Sequence, residues 1–145
     1  MKTIANNRKA KFNYTFIEIY NAGIILLGTE VKPARLAKVN IDSAFIFINN
    51  NELFIKNMHI EQYKESSYQN HDEIRDRKLL LKKTEIRKIS DLMKNKGLSL
   101  IPTELYLNEK GIFKLKFAVC KSKKMYDKRN DLKKKTVERE LQQNG

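Results

Sequence analysis

The chain has 145 residues, with 30 Lys or Arg against 17 Asp or Glu, a formal net charge of +13 and a pI of about 9.8. That length suits one domain with an appendage, and that charge attracts polyanions such as nucleic acid. No run approaches the roughly 18 apolar residues of a membrane-spanning helix, no apolar secretory signal opens the chain, and the lone Cys120 excludes an intramolecular disulfide and fits a reducing cytoplasm.

In chain order, residues 1–12 are basic and polar and read as a mobile N-terminus. Tyr14 to Tyr20 alternates apolar and polar residues, the period of a strand. Asn21-Ala22-Gly23 reads as a turn, Ile24 to Leu27 as a buried strand, and Thr29 to Lys32 as a further run after Gly28. Pro33 suits the first turn of a short helix filled by Ala34 to Lys38. Ala44 to Ile48 and Glu52 to Asn57 read as a hairpin around Asn49-Asn50-Asn51. Residues 61–76 read as a long polar loop, and Arg77 to Leu81 as an apolar run behind basic residues.

From Glu85 to Lys96, Ile86, Ile89 and Met93 fall at i, i+3 and i+7, and Gly97 follows. This is an amphipathic helix with lysines in its last turn and a glycine past its end. Leu98 to Leu107 and Ile112 to Val119 are two further strands, joined by Asn108-Glu109-Lys110-Gly111. In the second, Lys114 and Lys116 face away from Phe113, Leu115 and Phe117, so two cations stand on the open side of a sheet.

These elements predict a mainly β protein, a small antiparallel OB-like barrel of five or six strands over residues 13–121. A sandwich is the alternative that periodicity leaves open. Lys121 to Lys135 carries eight Lys or Arg against two Asp and almost nothing to bury. Residues 122–145 therefore read as a tail that cannot order itself and seeks a polyanion.

Chemistry is sparse. His59 and His71 stand twelve positions apart, with no second cysteine and no zinc spacing, so no metal is expected. The five glycines stand singly, so no phosphate loop and no cofactor site is expected. Glu18 and Glu30 are the candidates for carboxylates facing each other across strands, but exposed strand carboxylates are usually solvated or paired with Lys. No catalytic residue is assigned. Cys120, alone in an apolar run, reads as packing.

Binding features are richer. Arg8, Lys9, Lys32, Arg35, Arg75, Arg77, Lys78, Lys114 and Lys116 supply cations, and Tyr14, Tyr20, Tyr63, Tyr68 and Tyr126 supply rings that can stack on splayed bases. Any one of them is more simply a solvated lysine or a core-capping tyrosine. Together the excess of basic residues is more than solubility requires.

The chain resembles the SmpB family of SsrA-binding proteins. The matching words are Asn7-Arg8-Lys9-Ala10, Ala22-Gly23-Ile24, Gly28-Thr29-Glu30-Val31-Lys32 with Arg35, His59-Ile60, Asn70-His71, Arg75-Asp76-Arg77-Lys78-Leu79-Leu80-Leu81, Glu85-Ile86, Pro102 and Lys123-Lys124-Met125-Tyr126-Asp127-Lys128-Arg129. They run through nearly the whole length in the family's order.

The resemblance implies a six-stranded antiparallel OB-like barrel with two or three flanking helices and a basic tail that is disordered alone and helical on the ribosome. It implies that the barrel binds the tRNA-like domain of transfer-messenger RNA (tmRNA, also SsrA RNA) in place of a missing anticodon arm. It further implies that the tail probes the empty mRNA channel at the decoding centre of the small subunit of stalled ribosomes. Elongation factor Tu is the implied further partner, through the charged tmRNA, and no membrane is implied.

By position, the resemblance places Asn7, Arg8, Lys9, Asn21, Glu30, Lys32, Arg35, Leu80, Lys114 and Lys116 on the RNA-binding barrel. It places Lys121, Lys123, Lys124, Tyr126, Asp127, Lys128, Arg129, Lys133, Lys134 and Lys135 in the tail that meets the decoding centre, with Tyr126 as the base-stacking ring. The chain departs from the family pattern in several places, among them Asp42-Ser43-Ala44-Phe45, where Asp falls one place early, and the lysine-rich Lys133-Lys134-Lys135. Asn21 replaces the usual Glu, Gln62 the usual Pro after His-Ile-x, and Ser122 the usual Gly before the paired lysines. The alternative is a general ribosomal or RNA-binding OB-fold protein. A third reading is a small nucleic-acid-processing enzyme built on Glu18, Glu30 and the histidines.

Overall fold

The computed structural model describes residues 1–63 and 70–123. Its elements are β1 (Lys2–Asn6), α1 (Ala10–Asn13), β2 (Tyr14–Ile24), α2 (Gly28–Arg35), β3 (Val39–Asn40), β4 (Phe45–Asn49), β5 (Glu52–Lys56), β6 (His59–Ile60), β7 (Arg77–Leu80), α3 (Lys83–Met93), β8 (Leu98–Leu107) and β9 (Phe113–Ser122). The main sheet runs β1-β8-β4-β5-β7-β2-β9, and β9 pairs back onto β8. Six strands thus close an antiparallel ring, and β1 hangs on its outside edge. Closure decides between barrel and sandwich: every strand of the ring has two neighbours, which removes exposed edges.

Period-two alternation fills the ring. Leu53, Ile55, Leu105, Leu115, Phe117 and Val119 are fully buried, and Tyr20 stacks on Phe117 with centroids 5.7 Å apart. Alpha3 plugs the interior with Ile89, supported by Ile86, Leu92 and Met93, the apolar spacing read from the sequence. Asn50 and Asn51, with φ of 51° and 61°, turn the β4–β5 hairpin, because Asn tolerates the left-handed region.

The structure differs from the sequence expectation in several places, one of them Ile24 to Leu27, read as a buried strand, where β2 ends at Ile24 and Ile25 and Leu27 are exposed. Lys2–Asn6, expected within a mobile terminus, is β1 and pairs with Glu104 to Leu107 of β8. That partner lies about a hundred residues away and leaves no local signal. Asn21-Ala22-Gly23 is no turn, since β2 runs straight through it. Gly23 serves close approach instead, because a Cβ there would lie 3.3 Å from Leu80 Cβ of β7. Thr29 to Lys32 belongs to α2, not a strand, and Pro33 lies inside that helix rather than opening it. The buried faces at Glu30, Pro33 and Ala34 have helical spacing that the strand-like word Thr-Glu-Val-Lys conceals. Alpha3 stops at Met93 with no basic residue in its last turn, and Gly97, at φ 90°, turns the chain into β8.

A second, smaller apolar cluster lies outside the barrel. Alpha1 covers Ile101, Ala118 and Cys120 with Ala10, beside Tyr14 and Phe16.

Candidate nucleic-acid interface

The outer face of β8, β9 and β2 gathers the polar residues that the sequence nominates. Lys116 pairs in register with Asn21 on β2 and Glu104 on β8, and Lys114 with Gly23 and Tyr106. Gly23 in turn opposes Leu80 on β7, which is 51% exposed. Directly opposed residues share a face, so two rows cross the sheet: Glu104–Lys116–Asn21 and Tyr106–Lys114–Gly23–Leu80. Tyr106 donates its hydroxyl to Asn21 Oδ1 at 2.8 Å, tying the rows together. Lys116 Nζ lies 3.6 Å from Glu104 and remains about a third exposed.

A surface cavity of about 440 Å3 continues this face towards the N-terminus, lined by Asn7, Arg8, Lys11, Ile19, Glu104 and Lys116. Asn7 is fixed there by its N–H to Thr103 O at 2.9 Å and its side-chain amide to Pro102 O at 3.2 Å. Arg8 and Lys9 are exposed beside it. The arrangement offers the cations Lys114, Lys116, Arg8 and Lys11, the amides of Asn21 and Asn7, and the half-exposed Leu80. It is suited to phosphates and ribose hydroxyls.

Alpha2 carries Lys32 and Arg35 on an element outside those rows. Lys32 Nζ donates to Tyr63 OH at 3.0 Å and stands 5.1 Å from its ring centroid. Glu30, placed by the resemblance with the RNA-binding residues, is fully buried. Its Oε1 accepts from the Leu27 N–H at 2.7 Å and from Arg75 Nη2 at 2.6 Å. Its Oε2 accepts from Arg75 Nε at 3.0 Å and Arg77 Nε at 2.7 Å. Arg77, itself fully buried, also donates to the carbonyls of Met58 at 2.6 Å, Arg75 at 3.2 Å and Glu73 at 3.3 Å.

Burial works to raise the Glu30 pKa, but the hydrogen bonds from Arg75 and Arg77 outweigh it and hold the carboxyl below its ordinary value. Glu30 is therefore a staple for α2 and the segment before β7, out of reach of RNA. It also cannot face Glu18 across strands. Glu18 lies on β2, accepts from the Tyr20 hydroxyl and sits 3.3 Å from Lys88. Arg75 and Arg77, surface cations by the sequence reading, are the other half of this staple. Period two is the signal for Arg77, which falls in step with the buried Leu79.

His71 is buried with both ring nitrogens engaged, Nδ1 with Thr29 Oγ1 at 3.0 Å and Nε2 with the Ile60 carbonyl at 2.9 Å. Among the described residues, no group of three metal-ligating side chains forms. Burial pushes the Cys120 thiol up to about 11. The native protein is therefore expected to resist iodoacetamide at neutral pH and to react once unfolded, as mass spectrometry of the adduct would read. Rapid native alkylation would show the α1 cover to be open.

Of the tail, Lys121 is exposed on β9 opposite Leu98, and the Lys123 N–H donates to the Asn13 carbonyl at 2.9 Å. Lys124, Tyr126, Asp127, Lys128, Arg129, Lys133, Lys134 and Lys135 lie outside the described residues.

Comparison with known proteins covers nearly the whole chain. Residues 4–145 match the family model described as SmpB protein. The SsrA-binding protein of Anaplasma phagocytophilum is 46% identical over 140 residues, spanning 97% of this chain and 94% of that protein. The SsrA-binding protein of Cytophaga hutchinsonii is 48% identical over 136 residues, spanning 94% and 89%. A solved chain described as "tmRNA-SmpB: a journey to the center of the bacterial ribosome" matches with a TM-score of 0.69 at 42% identity, covering 94% of this chain and 95% of that one.

Proposed function

The chain belongs to the SmpB family, and from that membership we propose how its parts divide the work. The protein is an RNA-binding adaptor of trans-translation: it binds tmRNA and takes part in the rescue of stalled ribosomes. The tRNA-like domain of tmRNA lies on the outer face of β8, β9 and β2. Lys114 and Lys116 meet its phosphates there, Asn7, Arg8 and Asn21 its sugars and base edges, and Leu80 an exposed ribose or base plane.

The observation that carries this reading is the register that sets Lys114 and Lys116 on one face with Asn21 and Leu80. The usual Glu at the Asn21 position would carry a negative charge into this patch. Asn21 instead accepts from Tyr106 and leaves the face more cationic. Lys32 and Arg35 on α2 extend the contact along the RNA. The tail beyond Lys123 enters the mRNA channel that a stalled ribosome has left empty, with Tyr126 stacking at the decoding centre. A channel lined with phosphate suits a cationic segment that orders on contact. Elongation factor Tu joins through the charged tmRNA, and the site of action is the cytoplasm. The protein needs no catalytic group, and both candidate carboxylates, Glu18 and Glu30, are already engaged within the fold.

Replacing Lys114 and Lys116 together by Ala tests the face. Affinity for the isolated tRNA-like domain is expected to fall. The slope of log affinity against log salt is expected to flatten by about one unit for each phosphate no longer neutralised. Filter binding over a salt series reads both. An unchanged slope would put the RNA on another face.

A further inference from the structure

Where β4 meets β8, their ladder holds a single register pair, Ile46 opposite Leu100. The two strands splay on the outer surface and leave a groove of about 540 Å3. Tyr14, Phe45, Phe47, Met93, Leu98 and Ile101 give it apolar walls, and no acidic residue among the described residues lines it. Phe45 is 39% exposed. Phe47, two residues on, is backed by Phe54 with ring centroids 5.6 Å apart and 23° between planes.

Cations rim the groove. Lys56 stands directly opposite Phe45 in the β4–β5 ladder, and Lys121 opposite Leu98 in the β8–β9 ladder. Both are exposed, and neither has an ion-pair partner among the described residues. An exposed apolar surface of this kind marks a contact site. Its rim selects the partner: aromatic rings flanked by lysines suit a strand with stackable bases and a phosphate backbone.

We propose that this groove binds a segment of single-stranded RNA, with one unpaired base stacked on Phe45 and the adjoining phosphates against Lys56 and Lys121. The site is sequence-tolerant, because every base offers a π face and the lining offers few hydrogen-bonding groups. Its lining shares no residue with the two rows around Lys114 and Lys116, so it remains open while they are occupied. The inference rests on the RNA-binding reading only in taking RNA as the partner.

The full-length protein, saturated with the tRNA-like domain of tmRNA, is titrated with fluorescent oligouridylate. The oligonucleotide is expected to bind this complex. Phe45→Ala is expected to weaken that binding roughly tenfold, the order of one base stack, and Phe45→Tyr to preserve it. Lys56→Ala with Lys121→Ala is expected to flatten its salt dependence. Affinity for the tRNA-like domain, measured on the same variants, is expected to stay within about twofold. Oligouridylate that ignores the saturated complex, or binds the Phe45→Ala protein equally well, would overturn the proposal. So would capture of a leucine-rich peptide in place of the oligonucleotide, which would make the groove a protein-docking surface. Loss of tRNA-like-domain binding in Lys114→Ala/Lys116→Ala is a separate result and bears on the barrel face alone.

Discussion

Ending the chain after Lys123 is expected to leave tmRNA binding near normal and to abolish tagging on stalled ribosomes. The cut is dictated by the barrel. Beta9 runs to Ser122, and the Lys123 N–H still holds Asn13. Stopping at Val119 would remove Cys120, which is fully buried, and the pairs that Lys121 and Ser122 make with Thr15 and Tyr14. It would therefore confuse loss of the tail with damage to the fold. The residues beyond Lys123 carry seven Lys or Arg against four Asp or Glu, so removing them takes only +3 from a net charge of +13. Electrostatic attraction for RNA is largely kept. A tagging assay on a message without a stop codon, beside a binding curve for the tRNA-like domain, separates the two functions. Tagging that survived the cut would refute the role given to the tail.

The largest expected stability effect is at Glu30. Glu30→Ala strands two guanidinium groups, one of them fully buried, and such a loss costs on the order of 3–5 kcal/mol. Against a total of roughly 5–15 kcal/mol for a domain, this is a large share. The acid dependence follows from the same ion pairs. The Glu30 carboxyl titrates below 4.5 in the folded protein, because the arginine hydrogen bonds offset its burial. Its contribution is complete above the unfolded value and is lost as pH falls through the lowered folded value. Urea unfolding at a series of pH values is expected to show a steep acid loss in the native protein and a shallower one in Glu30→Ala. A cost under about 1 kcal/mol with an unchanged acid slope would show that the cluster is dispensable.

The ring is legible where its signals are local. Phe113, Leu115 and Phe117 alternate with Lys114 and Lys116, and that period alone marks both the core face and the cationic face of β9. Alpha3 is legible for the same reason, through Ile86, Ile89 and Met93. The failures are long-range. Nothing near Lys2 announces Leu107, and nothing near Glu30 announces arginines 45 and 47 positions later. The word Thr-Glu-Val-Lys reads on from the apolar run before it, and the helical spacing of Glu30, Pro33 and Ala34 emerges only once their buried partners are in place. Asn21 and Tyr106, which tie the interface together, are 85 residues apart and meet only through register. Glycine misleads at Gly23 because a turn and a close strand crossing demand the same missing side chain.

The pairing of β9 with both β2 and β8 sets the order in which this molecule can become itself. Tyr14 must wait for Ser122, and Lys2 for Leu107. During vectorial synthesis β2 and β8 therefore exist for a time with one bare edge each. Such distant closures make for slow folding, in the range of milliseconds to seconds. Until Phe113 to Ser122 arrives, the nascent chain is a half-built cylinder whose open seams invite other chains.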